Sequence, residues 1–218
     1  MIKSYVIRKG RYTTAQKNAY DTSSEKYLLA FSEQEIDFKS IFPNGNGVTL
    51  EIGFGMGDAT AEITQANPDK NYLGIEVHRP GIGRLLWEIE KRALCNIRII
   101  EYDAVSVTQK MIPQYSLDAV HIFFPDPWPK KRHRKRRLIQ RPFTDTLASC
   151  LKQGGYLYMV TDWEDYAIHA LEELSNTVTL RNAYESFAQP QSWRPLTKFE
   201  QKGVAKEHVI KELYFIKR

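Results

Sequence analysis

Apolar residues fall along this chain in two alternating rhythms. From Val48 onward, short β-branched runs recur between longer stretches whose apolar positions return every three or four residues. Runs of the first kind read as strands and stretches of the second as helices. This predicts strands over 48–52, 71–77, 97–102, 117–124 and 155–161, the last entered through Gly154-Gly155. Helices are predicted over 59–66, 82–94, 106–112, 141–151 and 163–174, and two further strands over 178–184 and 208–216. Strands alternating with helices of this length imply βαβ units and an α/β, mostly parallel sheet with helices on both faces.

The segment before Val48 lacks that regularity. Residues 1–25 are polar, with Lys3, Arg8, Lys9, Arg11 and Lys17 opposed by Asp21 and Glu25. Such a stretch buries little, and we expect a basic, flexible amino-terminal arm over 1–25 ahead of a single domain over 26–218. A short amphipathic stretch near 34–42 then leads to the turn Pro43-Asn-Gly-Asn-Gly47. With 218 residues, 42% of them hydrophobic, the chain has enough material for one full-sized core. The stretch 189–203, rich in Pro, Gln and Lys, reads as an ordered loop at a sheet edge.

Charge changes the picture more than composition does. Lys and Arg number 31 against 26 Asp and Glu, a net charge of +5. Lys130, Lys131, Arg132, Arg134, Lys135, Arg136 and Arg137 crowd one short segment with His133, and without them the balance turns negative. The basic character is therefore local, as expected of a surface that meets a polyanion. Cys95 and Cys150 stand far apart, so neither a disulfide framework nor a zinc site is indicated. His78, His121, His169 and His208 are too dispersed to argue for a metal. The start has no long apolar signal region, and no stretch approaches the ~20 apolar residues of a membrane span. A soluble, cytoplasmic protein is expected.

Two motifs carry chemistry. The block Phe124-Pro-Asp-Pro-Trp-Pro-Lys-Lys-Arg-His-Arg-Lys135 follows an apolar strand. Its prolines hold Asp126 and Trp128 on a stiff loop beside a cationic run, which points to chemistry on a nucleic acid. Upstream, Glu51-Ile-Gly-Phe-Gly-Met-Gly-Asp58 closes the first strand, and Gly53 and Gly55 let the backbone approach a ligand. Asp58 stands where the dinucleotide fingerprint needs its third glycine, and an acid there opposes a pyrophosphate. Glu51, Glu76, Asp103 and Asp126 recur at the carboxyl ends of four successive strands, the edge where open α/β sheets bind ligands. Adenosine carrying an amino acid suits this set: Glu76 for the ribose, Asp103 for the adenine amino group, Glu51 and the glycine loop for the amino-acid portion. S-adenosylmethionine fits better than NAD.

Four segments in order, Glu51-Ile-Gly-Phe-Gly-Met-Gly, Gly74-Ile-Glu-Val-His, the proline-tryptophan-lysine block and Arg194-Pro-Leu-Thr-Lys-Phe-Glu200, resemble the bacterial tRNA (guanine-N7-)-methyltransferase family. The resemblance runs over about 48–216. It implies a Rossmann-like class I methyltransferase fold with a seven-stranded sheet whose last strand is antiparallel. It also implies methyl transfer from S-adenosylmethionine to N7 of guanosine 46 in the variable loop of tRNA, without a metal. Cofactor positions fall on Glu51, Glu76, Asp103 and Asp126. Substrate positions fall on Lys130, Arg132, His133, Arg134, Lys135, Arg136, Arg137, Asp162, Thr197, Lys198, Phe199 and Glu200. No membrane and no obligate protein partner is inferred, and the sequence leaves monomer or homodimer open.

Guanine N7 carries a free lone pair, so no proton must leave before it attacks. Asp126 is then expected either to position the base and stabilise charge moving onto the purine, or only to anchor the cofactor. Trp128, Trp193 or Phe199 offers a stacking surface for the base, the favoured reading of Trp193 and Phe199 individually being that each packs its loop onto the sheet. Two other classes compete. A non-catalytic RNA-binding protein would not need the strand-end acids, and an NAD-dependent oxidoreductase would need the absent glycine.

Overall fold

The computed structural model describes residues 3–6, 12–196, 200 and 209–218. Its strands are β1 (Val48–Ile52), β2 (Asn71–Glu76), β3 (Ile97–Glu101), β4 (Leu117–Phe123), β5 (Leu151–Thr161), β6 (Leu180–Asn182) and β7 (Lys211–Lys217). They form one seven-stranded sheet in the order β3-β2-β1-β4-β5-β7-β6. By internal contacts the chain divides into two units, one built on residues 12–113 with Trp193–Pro195, the other on 114–192 with the described parts of both chain ends.

In the first unit β1 pairs with β2 and β2 with β3, all parallel, with Glu51 opposite Gly74 and Gly74 opposite Ile99. Every residue of β1 and β2 is buried, the burial expected of parallel strands covered on both sides. The helices are α1 (Thr14–Tyr27), α2 (Phe38–Ile41), α3 (Asp58–Ala66), α4 (Arg79–Arg92) and α5 (Ala104–Lys110). The expected boundary at residue 25 falls inside α1. Thr13 and Gln16 cap that helix reciprocally, the Thr13 hydroxyl accepting from the Gln16 N–H and the Gln16 side chain from the Thr13 N–H. Ala19 and Tyr27 bury the other side, and α1 packs along α4. Tertiary packing orders a segment whose composition alone reads as a solvated arm. Just past α1, the Leu29 N–H bonds the Ile99 carbonyl at 2.8 Å and covers the outer edge of β3.

In the second unit β4 and β5 are parallel, and β7 runs antiparallel to both β5 and β6. Helices α6 (Phe143–Cys150) and α7 (Glu164–Ser175) pack on this part of the sheet, and a 3₁₀ helix spans Lys131–Arg136. The expected entry to β5 at Gly154-Gly155 lies inside the strand. Leu151 already pairs with Leu117, and the chain then bulges before Tyr156 pairs with Ala119. Gly154 takes that corner at φ 78°. Among the described residues no helix is long and apolar enough to cross a membrane.

Candidate functional site

The first unit assembles a carboxylate rim. Because β1, β2 and β3 are parallel and in register, Glu51, Glu76 and Asp103 emerge at one edge. Glu76 is the best defined of them. Its Oε2 accepts the Gly55 N–H at 2.8 Å, and Oε1 accepts those of Val77 and His78 at 2.7 and 3.0 Å. The carboxylate is therefore oriented before any ligand arrives, and it fixes the glycine loop from the neighbouring strand end. Asp103 caps α5, its Oδ1 accepting from both the backbone and the hydroxyl of Ser106 at 2.9 Å.

The glycine loop is open where a ligand would lie. Gly53 and Gly55 adopt φ of 76° and 59°, and a Cβ on either would meet nothing within 4 Å. The opposite holds at Gly81, in the first turn of α4, where a Cβ would lie 1.9 Å from the Gly55 carbonyl oxygen. α4 can abut the loop only because position 81 has no side chain, a role that a glycine inside a helical pattern could have flagged.

Glu51 is fully buried, and burial above all pushes its carboxyl up to about 8. The Glu76 charge adds to the rise, and the Thr60 hydroxyl, buried nearby but outside good hydrogen-bond geometry, pulls it partway back. An ammonium group placed there would restore the carboxylate. Open backbone, an oriented carboxylate and a buried acid fit S-adenosylmethionine.

Between about 4.5, the ordinary value, and about 8, folded Glu51 keeps a proton that the unfolded chain has lost. Stability of the cofactor-free protein thus falls as pH rises through that window, by at most on the order of 1 kcal/mol per pH unit. Thermal melts should show the wild type losing ground to Glu51→Gln between pH 5.5 and 8, and parallel curves would refute the assignment.

The second unit carries the loop 124–128 and the basic run. Phe124 and Trp128 sit at φ 50° and 46°, a left-handed backbone that bulky residues avoid. The Phe124 N–H is fastened to the Val160 carbonyl at 2.8 Å. Between these two strained points the loop holds Asp126 exposed, while Asp162, just past β5, is half-buried.

Along the 3₁₀ helix, Lys130, Lys131, Arg132, Arg134 and Lys135 face solvent. Slight burial, then the charges of Arg132, Lys130, Arg136 and Lys135, hold the His133 imidazole below its usual pKa. Arg134 also reaches Asp165 at 2.8 Å. Arg137 departs from the expected track. It is fully buried, donates to the Pro127 carbonyl at 3.0 Å, pairs with the Asp165 carboxylate and lies over the Tyr166 ring. The chain turns inward there, because Leu138 and Ile139 enter the core. Arg137 therefore braces the loop.

Trp128 is also engaged. Its Nε1–H donates to the Ser4 carbonyl at 3.0 Å and its ring lies under the Arg136 guanidinium at 4.3 Å. Trp193 is half-buried and Glu200 buried, whereas Thr197, Lys198 and Phe199 lie outside the described residues.

A seven-stranded sheet closed by an antiparallel last strand, with acids along a glycine-loop rim, defines a class I methyltransferase. A family model described as "Putative methyltransferase" matches residues 45–213. The chain is 52% identical to a tRNA (guanine-N(7)-)-methyltransferase of Nitrosomonas eutropha, over 99% of this chain and 96% of that protein. It is 51% identical to one from Dechloromonas aromatica, over 100% and 88% of the two chains. The protein belongs to the tRNA (guanine-N7-)-methyltransferase family. Its fold is shared with the 16S rRNA methyltransferase KamB, at TM-score 0.62 and 12% identity over 85% of this chain and 95% of the other. A 16S rRNA (adenine(1408)-N(1))-methyltransferase from Catenulisporales acidiphilia, solved with SAM, matches at TM-score 0.55 and 13% identity, over 84% and 92%.

Proposed function

We propose that this enzyme transfers a methyl group from S-adenosylmethionine to N7 of guanosine 46 in the variable loop of tRNA, forming 7-methylguanosine. The observation that supports the reading best is the gathering of Glu51, Glu76 and Asp103 on one edge of three parallel strands, beside an open glycine loop. The bound donor supplies an activated methyl on a sulfonium.

The chain's own residues do the rest. Glu76 accepts from the ribose hydroxyls, Asp103 from the adenine amino group, and Glu51 pairs with the amino-acid ammonium. Asp126 orients the guanine and stabilises positive charge as it moves onto the purine. Glu200 accepts from the N1–H and amino edge of the base, Asp162 lines the entrance, and Thr197, Lys198 and Phe199 complete the substrate contact. Lys130, Arg132, Arg134, Lys135 and Arg136 follow the tRNA backbone, with His133 as a further donor among them. N7 has its lone pair free, so the reaction asks for neither a general base nor a Lewis acid, and the reading includes no metal. Such an enzyme works on the cytoplasmic tRNA pool, as a monomer or homodimer without an obligate partner.

The deciding experiment maps the methylated nucleoside after reaction with unmodified bulk tRNA. We expect 7-methylguanosine at position 46. Methylation confined to another atom or another position would overturn the proposal.

A further inference from the structure

The amino-terminal residues 3–6 lie against the proline-tryptophan loop through two backbone carbonyls. Ser4 accepts from Trp128 Nε1 at 3.0 Å, and Lys3 accepts from Arg136 Nε at 3.1 Å. Trp128 and Arg136 are themselves joined by the cation–π contact at 4.3 Å, and His133 meets the same indole edge-on at 5.9 Å. One indole therefore gathers the strained loop, the 3₁₀ helix and the chain's amino-terminal end. The side chain of Lys3 is exposed at this junction, its Nζ 5.6 Å from the Tyr5 ring centre.

Charge says what such a strap would meet. Every side-chain charge it brings to the junction is positive, and it joins a helix whose exposed side chains are cationic. Carbonyl oxygens accept from both Trp128 and Arg136, so the strap is held without using Lys3's ammonium. That ammonium remains available to a polyanion. We propose that residues 3–6 form part of the tRNA-binding surface, with Lys3 as a further phosphate contact and Trp128 as the positioning residue that latches the strap in place.

This rests on the reading of the basic helix as the tRNA track, and the experiment separates the two. Steady-state kinetics and tRNA affinity over a salt series are measured on the full chain for Lys3→Gln, Trp128→Phe, the double variant and a control, Lys130→Gln/Arg132→Gln. Lys3→Gln should raise KM for tRNA about fivefold, hold kcat within about twofold and reduce the salt slope by about one. Trp128→Phe keeps an aromatic face for Arg136 but loses the N–H that holds Ser4, and should raise KM by a similar factor. The double variant should be no worse than Trp128→Phe alone, because an unlatched strap no longer delivers Lys3. An unchanged KM and slope for Lys3→Gln while the control weakens binding overturns the strap alone. Additive losses in the double variant overturn the latch. If the control too is silent, the basic track falls and the strap with it.

Discussion

Asp126→Asn should lower kcat on the order of 100-fold at saturating S-adenosylmethionine and tRNA. The substitution preserves shape and removes only the charge, so it isolates the electrostatic contribution that the proposed mechanism assigns to the carboxylate. The loop geometry makes this a sharp test. Left-handed backbone at Phe124 and Trp128, with prolines on either side of Asp126, fixes where the carboxylate stands, so the amide should occupy the same place. Single-turnover rates with both substrates saturating are the measurement. A rate within about threefold of the wild type, with weaker cofactor binding, would reduce Asp126 to an anchor.

Glu76→Ala should weaken S-adenosylmethionine binding by about 100-fold, read by calorimetry. Two losses combine. In the proposed cofactor pose the ribose hydroxyls lose a charged acceptor, and the N–H groups of Gly55, Val77 and His78 lose theirs. The Gly55 N–H is the telling one, since its release lets the loop drift from the position in which Gly53 and Gly55 lie open. Glu76→Gln keeps an acceptor oxygen and should sit between wild type and Ala. A Kd for Glu76→Ala within about fivefold of wild type would remove Glu76 from the cofactor site.

The rim was legible because its signals are local. β1 and β2 read as continuous apolar runs since both are buried throughout, and an acid at the end of such a run points to a ligand edge. Glu51 and Glu76 followed directly, and the parallel register brings them to one edge with Asp103. What stayed hidden depends on partners distant in sequence. Arg137 belongs by composition to a run of exposed cations, and only the inward turn at Leu138 and the acceptor on Asp165 make it internal. That the Trp128 N–H is taken by Ser4, 124 residues away, is equally invisible in the motif. The ordering of α1 escaped for the same reason, because a polar helix is held by its fit along α4.

The inward turn of Arg137 also gives the cationic stripe an abrupt end. Past Arg136 the run of cations turns inward at Arg137, and the next side chains, Leu138 and Ile139, are sheltered from solvent. For the proposed tRNA track, an evenly charged strip would let a polyanion slide, whereas a definite terminus would set how far along it the strand settles. Where one guanidinium points would then govern alignment as well as grip.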